Sequence, residues 1–316
     1  MHGVLNLLKP PGMTSHDAVA FARRVLSEKR VGHMGTLDPA AAGVLPMGVG
    51  QGTRLVEYLQ SGTKEYLAEA TFGHETDTLD AVGQIVREAP TSQVDEKSLR
   101  AVLDSFRGEI TQTPPLFSAL KKDGKRLYET ARAGLETEIE SRRVTISRLE
   151  VTRFIEGEKP KAMFVVECSG GTYIRSLVRD LAKALDSAAT MTFLVRSRVG
   201  GFELKAALSC EEFESNPIPI PFAEAVSWCA KNTVVNDDAA LILFQGKLIK
   251  MSAQDIAQAR ESVSVDSALQ MRRMQVISPK SSVLVHNTAQ TLFALAIPSR
   301  ETGFYRPEKV FDLREK

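Results

Sequence analysis

The chain has 316 residues, 43% of them hydrophobic and 25% charged, and 40 Lys and Arg against 39 Asp and Glu leave a net charge of +1. This describes an ordinary globular protein with no global attraction to nucleic acid, so any RNA or DNA contact has to come from a local basic face balanced by acids elsewhere. The length exceeds the usual single-core size and is read as one large domain plus a small one. Cys168, Cys210 and Cys229 are odd in number and far apart, with no Cys-x-x-Cys and no His at ligand spacing, which fits a reducing cytoplasm. The N-terminus lacks a basic segment followed by an apolar run, and no stretch approaches the roughly 20 apolar residues that span a bilayer, so no membrane association is expected.

Gly3 to Leu8 read as a buried strand entering the turn Lys9-Pro10-Pro11-Gly12-Met13, after which Thr14 and Asp17 have the spacing of a capping box. The following helix places Ala18, Phe21, Ala22 and Val25 on one face and Arg23, Arg24, Lys29 and Arg30 on the other side and exit. That basic surface is either a solvated helix face or, given the loop beside it, a face toward RNA. The stretch from Arg30 to Pro46 is the least like structural filler. Gly32, Gly35 and Gly43 permit turns, and Pro39 pushes Asp38 away from helical geometry, so that its carboxylate is presented from extended chain. No other carboxylate lies between Glu28 and Glu57, so a paired-acid glycosidase or a carboxylate metal cage would need a distant second member. The stretch reads as an active-site loop or as a Gly-rich surface turn whose Asp accepts backbone hydrogen bonds.

Gly48 to Arg54 imitates a phosphate cradle but lacks both the Lys-Ser/Thr ending of a Walker loop and the third Gly of a dinucleotide fingerprint. A short helix through Leu55, Val56 and Leu59 precedes an alternating strand, Lys64 to Phe72, with Tyr66, Ala68, Ala70 and Phe72 on one face. On pattern alone Tyr66 is a core or cross-strand residue. His74 to Gly83 is a polar hairpin connection whose acids, Glu75, Asp77 and Asp80, lack EF-hand spacing and are read as turn chemistry. A strand over 84–87 and a helix built on Leu99, Val102, Leu103 and Phe106 follow. Beyond Gln112, Pro114 and Pro115 interrupt regular structure, and Lys121, Lys122, Lys125, Arg126 and Arg132 outnumber Asp123 and Glu129, with Phe117 and Tyr128 interleaved. That mixture suits a nucleic-acid backbone or a solvated helix face.

Strands at Val144 to Phe154 and Ala162 to Cys168 lead through Ser169-Gly170-Gly171 into a helix from Thr172, whose stripe of Ile174, Leu177, Val178, Leu181 and Leu185 is core. Tyr173 and Arg175 lie off that stripe. A cation in the first turn opposes the helix dipole, so Arg175 requires an acid from elsewhere in the fold. Residues 191–205 read as a strand pair around Gly200-Gly201, and the Pro-rich 216–221 segment reads as a domain boundary. From about residue 230 the expectation is a small β-rich domain with short strands at Ala240 to Phe244, Ser282 to Val285 and Thr291 to Ile297.

Six stretches, in order, resemble the TruB-type tRNA pseudouridine synthases: Asn6 to Ser15, Gly32 to Pro39, Lys64-Glu65-Tyr66, Gln112 to Lys121, Gly171 to Arg175, and Leu194-Val195-Arg196. The resemblance covers roughly residues 3 to 205, with a weaker echo in Phe293 to Ala296 and Arg306 to Phe311. It implies an α/β (α+β) pseudouridine synthase fold, with a mixed, largely antiparallel sheet and flanking helices, and a small β-rich PUA-like C-terminal domain. The domains expected are a catalytic one over 1–225 and an RNA-binding one over 226–316. The implied reaction makes pseudouridine at position 55 of the TΨC loop of tRNA: the N1 to C1′ bond breaks, the bound uracil turns, and C5 joins C1′. No net oxidation occurs, so no cofactor and no metal are expected. The implied partner is the T-arm stem-loop of tRNA, with no obligatory protein partner, in the cytoplasm.

By the same resemblance Asp38 is the nucleophile, attacking C6 of the base or C1′ of the sugar. A free Asp titrates near about 3.9 and burial under a flipped base raises that value, so a fixed cation is needed, and Arg175 is the implied one. Tyr66 matches the residue that stacks on the target base and is the candidate to take the C5 proton. His33 matches the residue that fills the space vacated by the base; stacking of roughly 1–3 kcal/mol per base offsets much of the few kcal/mol of flipping. Tyr173 and Leu194 are expected to line the uracil pocket, Lys9 to support the Asp38 loop, and Lys121, Lys122, Lys125, Arg126 and Arg132 to follow the RNA backbone. Gln51-Gly52 and Val195 depart from the pattern, where a small residue before the Thr and a second Arg are more usual. The alternatives are an RNA-binding or tRNA-folding protein without turnover, a guide-RNA-dependent synthase subunit and, more distantly, a metal-dependent RNA hydrolase.

Overall fold

A computed structural model describes residues 1–60, 62–118, 121–122, 125–126, 139–227, 231–251 and 283–314. The strands in chain order are β1 (Gly3–Lys9), β2 (Val31–His33), β3 (Ala42–Val49), β4 (Lys64–Phe72), β5 (His74–Thr76), β6 (Ile85–Glu88), β7 (Gly108–Gln112), β8 (Lys121–Lys122), β9 (Lys125–Arg126), β10 (Arg142–Ile155), β11 (Lys161–Cys168), β12 (Ala189–Val199), β13 (Phe202–Glu203), β14 (Lys231–Val235), β15 (Ile249–Lys250), β16 (Val283–Asn287), β17 (Leu292–Pro298) and β18 (Phe304–Asp312). Nine of them form one sheet in the order β1-β3-β12-β4-β11-β10-β7, with β2 added to β3 and β13 to β12. It is antiparallel except where β12 runs parallel to β3, pairing Val195 with Ala42 and Arg196 with Gly43. The fold is thus the mixed, largely antiparallel α/β class expected.

Local chemistry explains the elements that flank the site. Thr14 caps the helix Ser15–Leu26 through its side chain, and Asp17 returns a bond to the cap backbone, closing the capping box. Ala18, Val19 and Ala22 carry its buried face, while Arg23, Arg24, Lys29 and Arg30 are exposed. On β4 the period of two puts Tyr66, Ala68, Ala70 and Phe72 inside, and the helix Ile174–Lys183 packs its Leu177, Val178 and Leu181 into the same core.

Two expectations are corrected. The Arg30 to Pro46 stretch is not all loop: β2 and the first half of β3 occupy its ends, and the connection is only residues 34–41. Gly43 sits in β3 because the chains approach closely there. A Cβ built on it would lie 2.3 Å from the Arg196 carbonyl oxygen, and its φ is +118°. Ala240 to Phe244, expected as a strand, belongs to the helix Asp237–Phe244, because Asn236 caps it onto the Ala239 N–H and Asp237 and Asp238 occupy its first turn. The Pro-rich segment is no free linker: Val4 and Ile220 exchange both backbone hydrogen bonds, at 2.9 and 2.7 Å.

The second sheet has the order β14-β16-β17-β18-β15, with β14 parallel to β16 and the rest antiparallel. One face closes locally, with Val283, Val285, Ala294 and Ala296 packed on Leu243, Ile249 and Met251, and the other does not. Phe222, Phe293 and Phe311 meet with ring centroids 5.5 and 5.3 Å from Phe222, in one cluster with Val4, Val44, Leu55 and Leu59 of the first sheet and its connections. Full burial of each such side chain stabilises by roughly 1.5–3 kcal/mol, so the junction is a continuous core. Among the described residues no helix is long and apolar enough to cross a membrane.

Candidate active site

The connection 34–41 is held by three side chains. Ser15, in the first turn of its helix, accepts the Leu37 N–H at 2.9 Å and donates to the Leu37 carbonyl at 3.1 Å. Lys9 Nζ donates to the carbonyls of Pro10, Met13 and Pro39 at 2.8, 2.7 and 3.3 Å. Arg196, 1% exposed, donates from Nε to Val44, from Nη1 to Thr36 and from Nη2 to Gly35, at 2.8, 3.3 and 3.0 Å. Buried carbonyls left unpaired would each cost about 1–3 kcal/mol, so these three side chains set the loop's shape.

The loop presents Asp38, with a third of its side chain open, to Arg175 on the adjoining helix; Arg175 Nε and Asp38 Oδ2 are 2.9 Å apart. Arg175 is 5% exposed and its other nitrogens are committed: Nη1 donates to the Thr78 carbonyl at 2.9 Å and lies 3.8 Å from Asp80 Oδ2, and Nη2 donates to the Phe117 carbonyl at 3.1 Å. Burial raises the Asp38 carboxyl above the usual carboxylate range, Arg175 pulls it down, and Asp80 pushes it up. Asp38 and Arg175 line a cavity of about 300 Å³ together with Lys64, Tyr66, Ser118, Arg142, Tyr173, Leu194 and Arg196. That is at the small end of the roughly 300–1,000 Å³ of ligand pockets, and its lining is unusually rich in charged side chains.

The family description "TruB family pseudouridylate synthase (N terminal domain)" matches residues 23–174. The "tRNA pseudouridine synthase B" of Symbiobacterium thermophilum is 49% identical over 242 residues, spanning 76% of this chain and 81% of that protein. The chain belongs to the TruB family of pseudouridylate synthases. The same-named protein of Streptococcus pneumoniae is 48% identical over 215 residues, 67% of this chain and 74% of its own length. Among solved structures, "Crystal Structure of a Cbf5-Nop10-Gar1 Complex" contains a chain superposing with a TM-score of 0.66 at 26% identity, over 98% of this chain and 84% of that one. "Structure of H/ACA RNP bound to a substrate RNA containing 2'-deoxyuridine" gives 0.64 at 25%, over 98% and 84%.

In this TruB-family chain Tyr66 and Leu194 are buried on neighbouring strands and face the cavity, and Tyr173 stands at the helix start. Gln112 holds Tyr173 from both sides, accepting its N–H at 2.8 Å and donating to its carbonyl at 3.0 Å. Burial pushes the Tyr66 hydroxyl up to about 12 against the opposing effect of Arg196, to which it is hydrogen-bonded. A phenol held that high is protonated at rest. Burial lowers Lys9 to about 8 while Asp38 opposes the shift. His33 lies on β2 outside the cavity lining, its ring edge-on to His16 at 6.0 Å and its Nδ1 buried without a partner. Lys121 and Lys122 pair with Arg126 and Lys125 in the hairpin β8–β9, known here by its backbone alone, and Arg132 lies outside the described residues.

Sequence reasoning passed over several groups here. Asp80 is a turn residue as expected, accepting the Thr78 hydroxyl at 2.6 Å and the Val82 N–H at 3.1 Å, but the same turn aims it at Arg175. Arg196 was visible as a motif member without a task. Lys64, Gln112, Ser118 and Arg142 carried no individual pattern. Among the described residues no group of three His, Cys, Asp or Glu is placed to hold a metal ion.

Proposed function

We propose that this chain is a stand-alone tRNA pseudouridine synthase that isomerises uridine 55 of the T-loop, with Asp38 as nucleophile. The observation that carries this is the 2.9 Å Asp38–Arg175 pair at the mouth of a nucleoside-sized cavity. Arg175 favours the Asp38 carboxylate against the burial that raises it, and attack at C6 or at C1′ starts alike from that carboxylate. Tyr66 and Leu194 would sandwich the everted uracil, and stacking there would offset the few kcal/mol of eversion. Tyr66 is proposed as this platform, because its high-lying hydroxyl makes a poor resting acceptor for the C5 proton. Lys9 holds the loop, His33 would enter the vacated stack, and the basic β8–β9 hairpin with Arg132 would follow the T-arm backbone. The division at residue 225, with a PUA-like RNA-gripping second domain, belongs to the same proposal and is supported by the separate five-stranded sheet.

The test is single-turnover conversion of an unmodified tRNA, or its T-arm stem-loop, in chelator. Wild type is expected to convert the T-loop uridine, and Asp38→Asn to bind the RNA without converting it. Binding by both with conversion by neither would leave an RNA-binding protein. The likeness to chains from Cbf5 and H/ACA assemblies favours a guide-dependent reading second, and conversion only with guide RNA and partner proteins would establish it.

A further inference from the structure

Four cations line the cavity against the single carboxylate of Asp38: Lys64, Arg142, Arg175 and Arg196. Two are already committed, Arg175 to Asp38 and three carbonyl or carboxylate neighbours, and Arg196 to the loop carbonyls. The other two have no acid partner among the described residues, whereas neighbouring Arg143 pairs with Glu109, Arg148 with Glu150 and Arg198 with Glu167. Lys64 is 7% exposed and gives two of its three N–H bonds to the Gln60 and Gly62 carbonyls, at 2.8 and 3.1 Å. Arg142 lays its guanidinium 4.7 Å from the Tyr173 ring centroid, and its Nε is buried with no hydrogen-bond partner. The Ser118 hydroxyl, in a residue 4% exposed, is likewise buried without a partner in the same cavity.

One dipeptide lies against both Lys64 and Arg142. A Cβ built on Gly170 would lie 3.4 Å from Lys64 Nζ, and one built on Gly171, where φ is +86°, would lie 3.6 Å from Arg142 Cζ. A buried lysine and a half-buried arginine flanking bare backbone, with an orphaned Nε and an orphaned hydroxyl, form an unsatisfied constellation whose complement is an anion with several acceptor oxygens. A carboxylate of the protein is absent from it among the described residues, and a nucleic acid supplies such an anion at every linkage. We propose that Lys64, Arg142 and the Gly170–Gly171 turn between them seat a phosphodiester of the RNA strand next to the everted uridine, with Ser118 completing its hydrogen bonds. The inference deepens the proposed function and rests on it for the identity of the RNA.

The experiment is a double-mutant cycle on equilibrium binding, read beside turnover. T-arm stem-loops carry a neutral methylphosphonate at the linkage 5′ or 3′ of the target uridine, one at a time, and bind to wild type and to Arg142→Gln. One of the two linkages is expected to weaken wild-type binding by about 10- to 100-fold, the range for a hydrogen bond to a charged group. The same substitution should weaken Arg142→Gln little further, and Arg142→Lys should regain most of the dependence. The salt slope of log affinity should also fall by roughly 0.7–0.9 in Arg142→Gln, which misfolding alone does not produce. Unchanged wild-type binding at both linkages overturns the proposal without needing any variant, and so do losses that multiply in the cycle. Conversion of the native stem-loop with such losses leaves the enzyme reading standing and removes the phosphate seat. A closed cycle without conversion does the reverse, and no binding of the stem-loop removes both.

Discussion

Arg175 and Arg196 are both almost fully buried and both touch the Asp38 loop, yet they do opposite kinds of work. Arg175 faces a carboxylate, Asp38, with a second, Asp80, behind it, so its environment governs a charge. Arg196 faces the carbonyls of Gly35, Thr36 and Val44 and the Tyr66 hydroxyl, so its environment governs a shape. The difference teaches that burial of an arginine does not by itself mark it as chemical; the partner does. A guanidinium on backbone oxygens acts as a five-donor bracket, which Lys cannot replace.

The comparison is broken most forcefully by removing the bracket. Arg196→Met should cost about 1–3 kcal/mol or more in a urea titration, because the buried Val44 carbonyl and the part-buried Gly35 and Thr36 carbonyls lose their donor, and turnover should fall with the fold. A variant as stable as wild type would show that the loop holds itself. Arg175→Met should leave the fold more nearly intact but move the acid limb of the turnover profile to higher pH, by about 1–3 units, because the cation that favours the Asp38 carboxylate is gone. Asp80→Asn should move that limb the other way, to lower pH and by less, since Asp80 raises Asp38. Shifts of the same sign would refute the assignment of the pair to charge control.

The smallest effect concerns Lys9. Its folded value of about 8 lies below its ordinary value of 10.5, so the unfolded chain binds more protons between these values. Stability should therefore rise with pH across that window and carry the full penalty of the buried charge below about 8. Lys64, also at about 8, adds to the same slope, so Lys9→Met should flatten denaturation-derived stability against pH only in part.

What could be read in advance follows the same division. The stripe of the helix Ile174–Lys183, the alternation of β4 and the Thr14 capping box are periodic or local, so residue order alone exposes them. The β3 strand was hidden because glycine permits both turns and close approach. A Cβ on Gly48 would meet the Gly52 carbonyl oxygen at 2.3 Å, which only the folded neighbours reveal. Ala240 to Phe244 is a short apolar run, which suits strand and helix equally, and the decisive signal, Asn236 with two acids behind it, lay upstream. Within the site, Asp38 stood out by isolation and Arg175 by its unfavourable helix position. Asp80 was disguised because turn residues and charge partners use the same side chain.

The bridge between Val4 and Ile220 also bears on how the protein is made. β1 can join β3 as soon as residue 49 has appeared, but its other edge is closed only by Leu208 and Ile220. At roughly 5–20 residues per second of synthesis, that apolar edge stays open for about 9–34 s on the ribosome. An unpaired edge strand is a template for the wrong partner, so the nascent chain is most vulnerable through its very first strand.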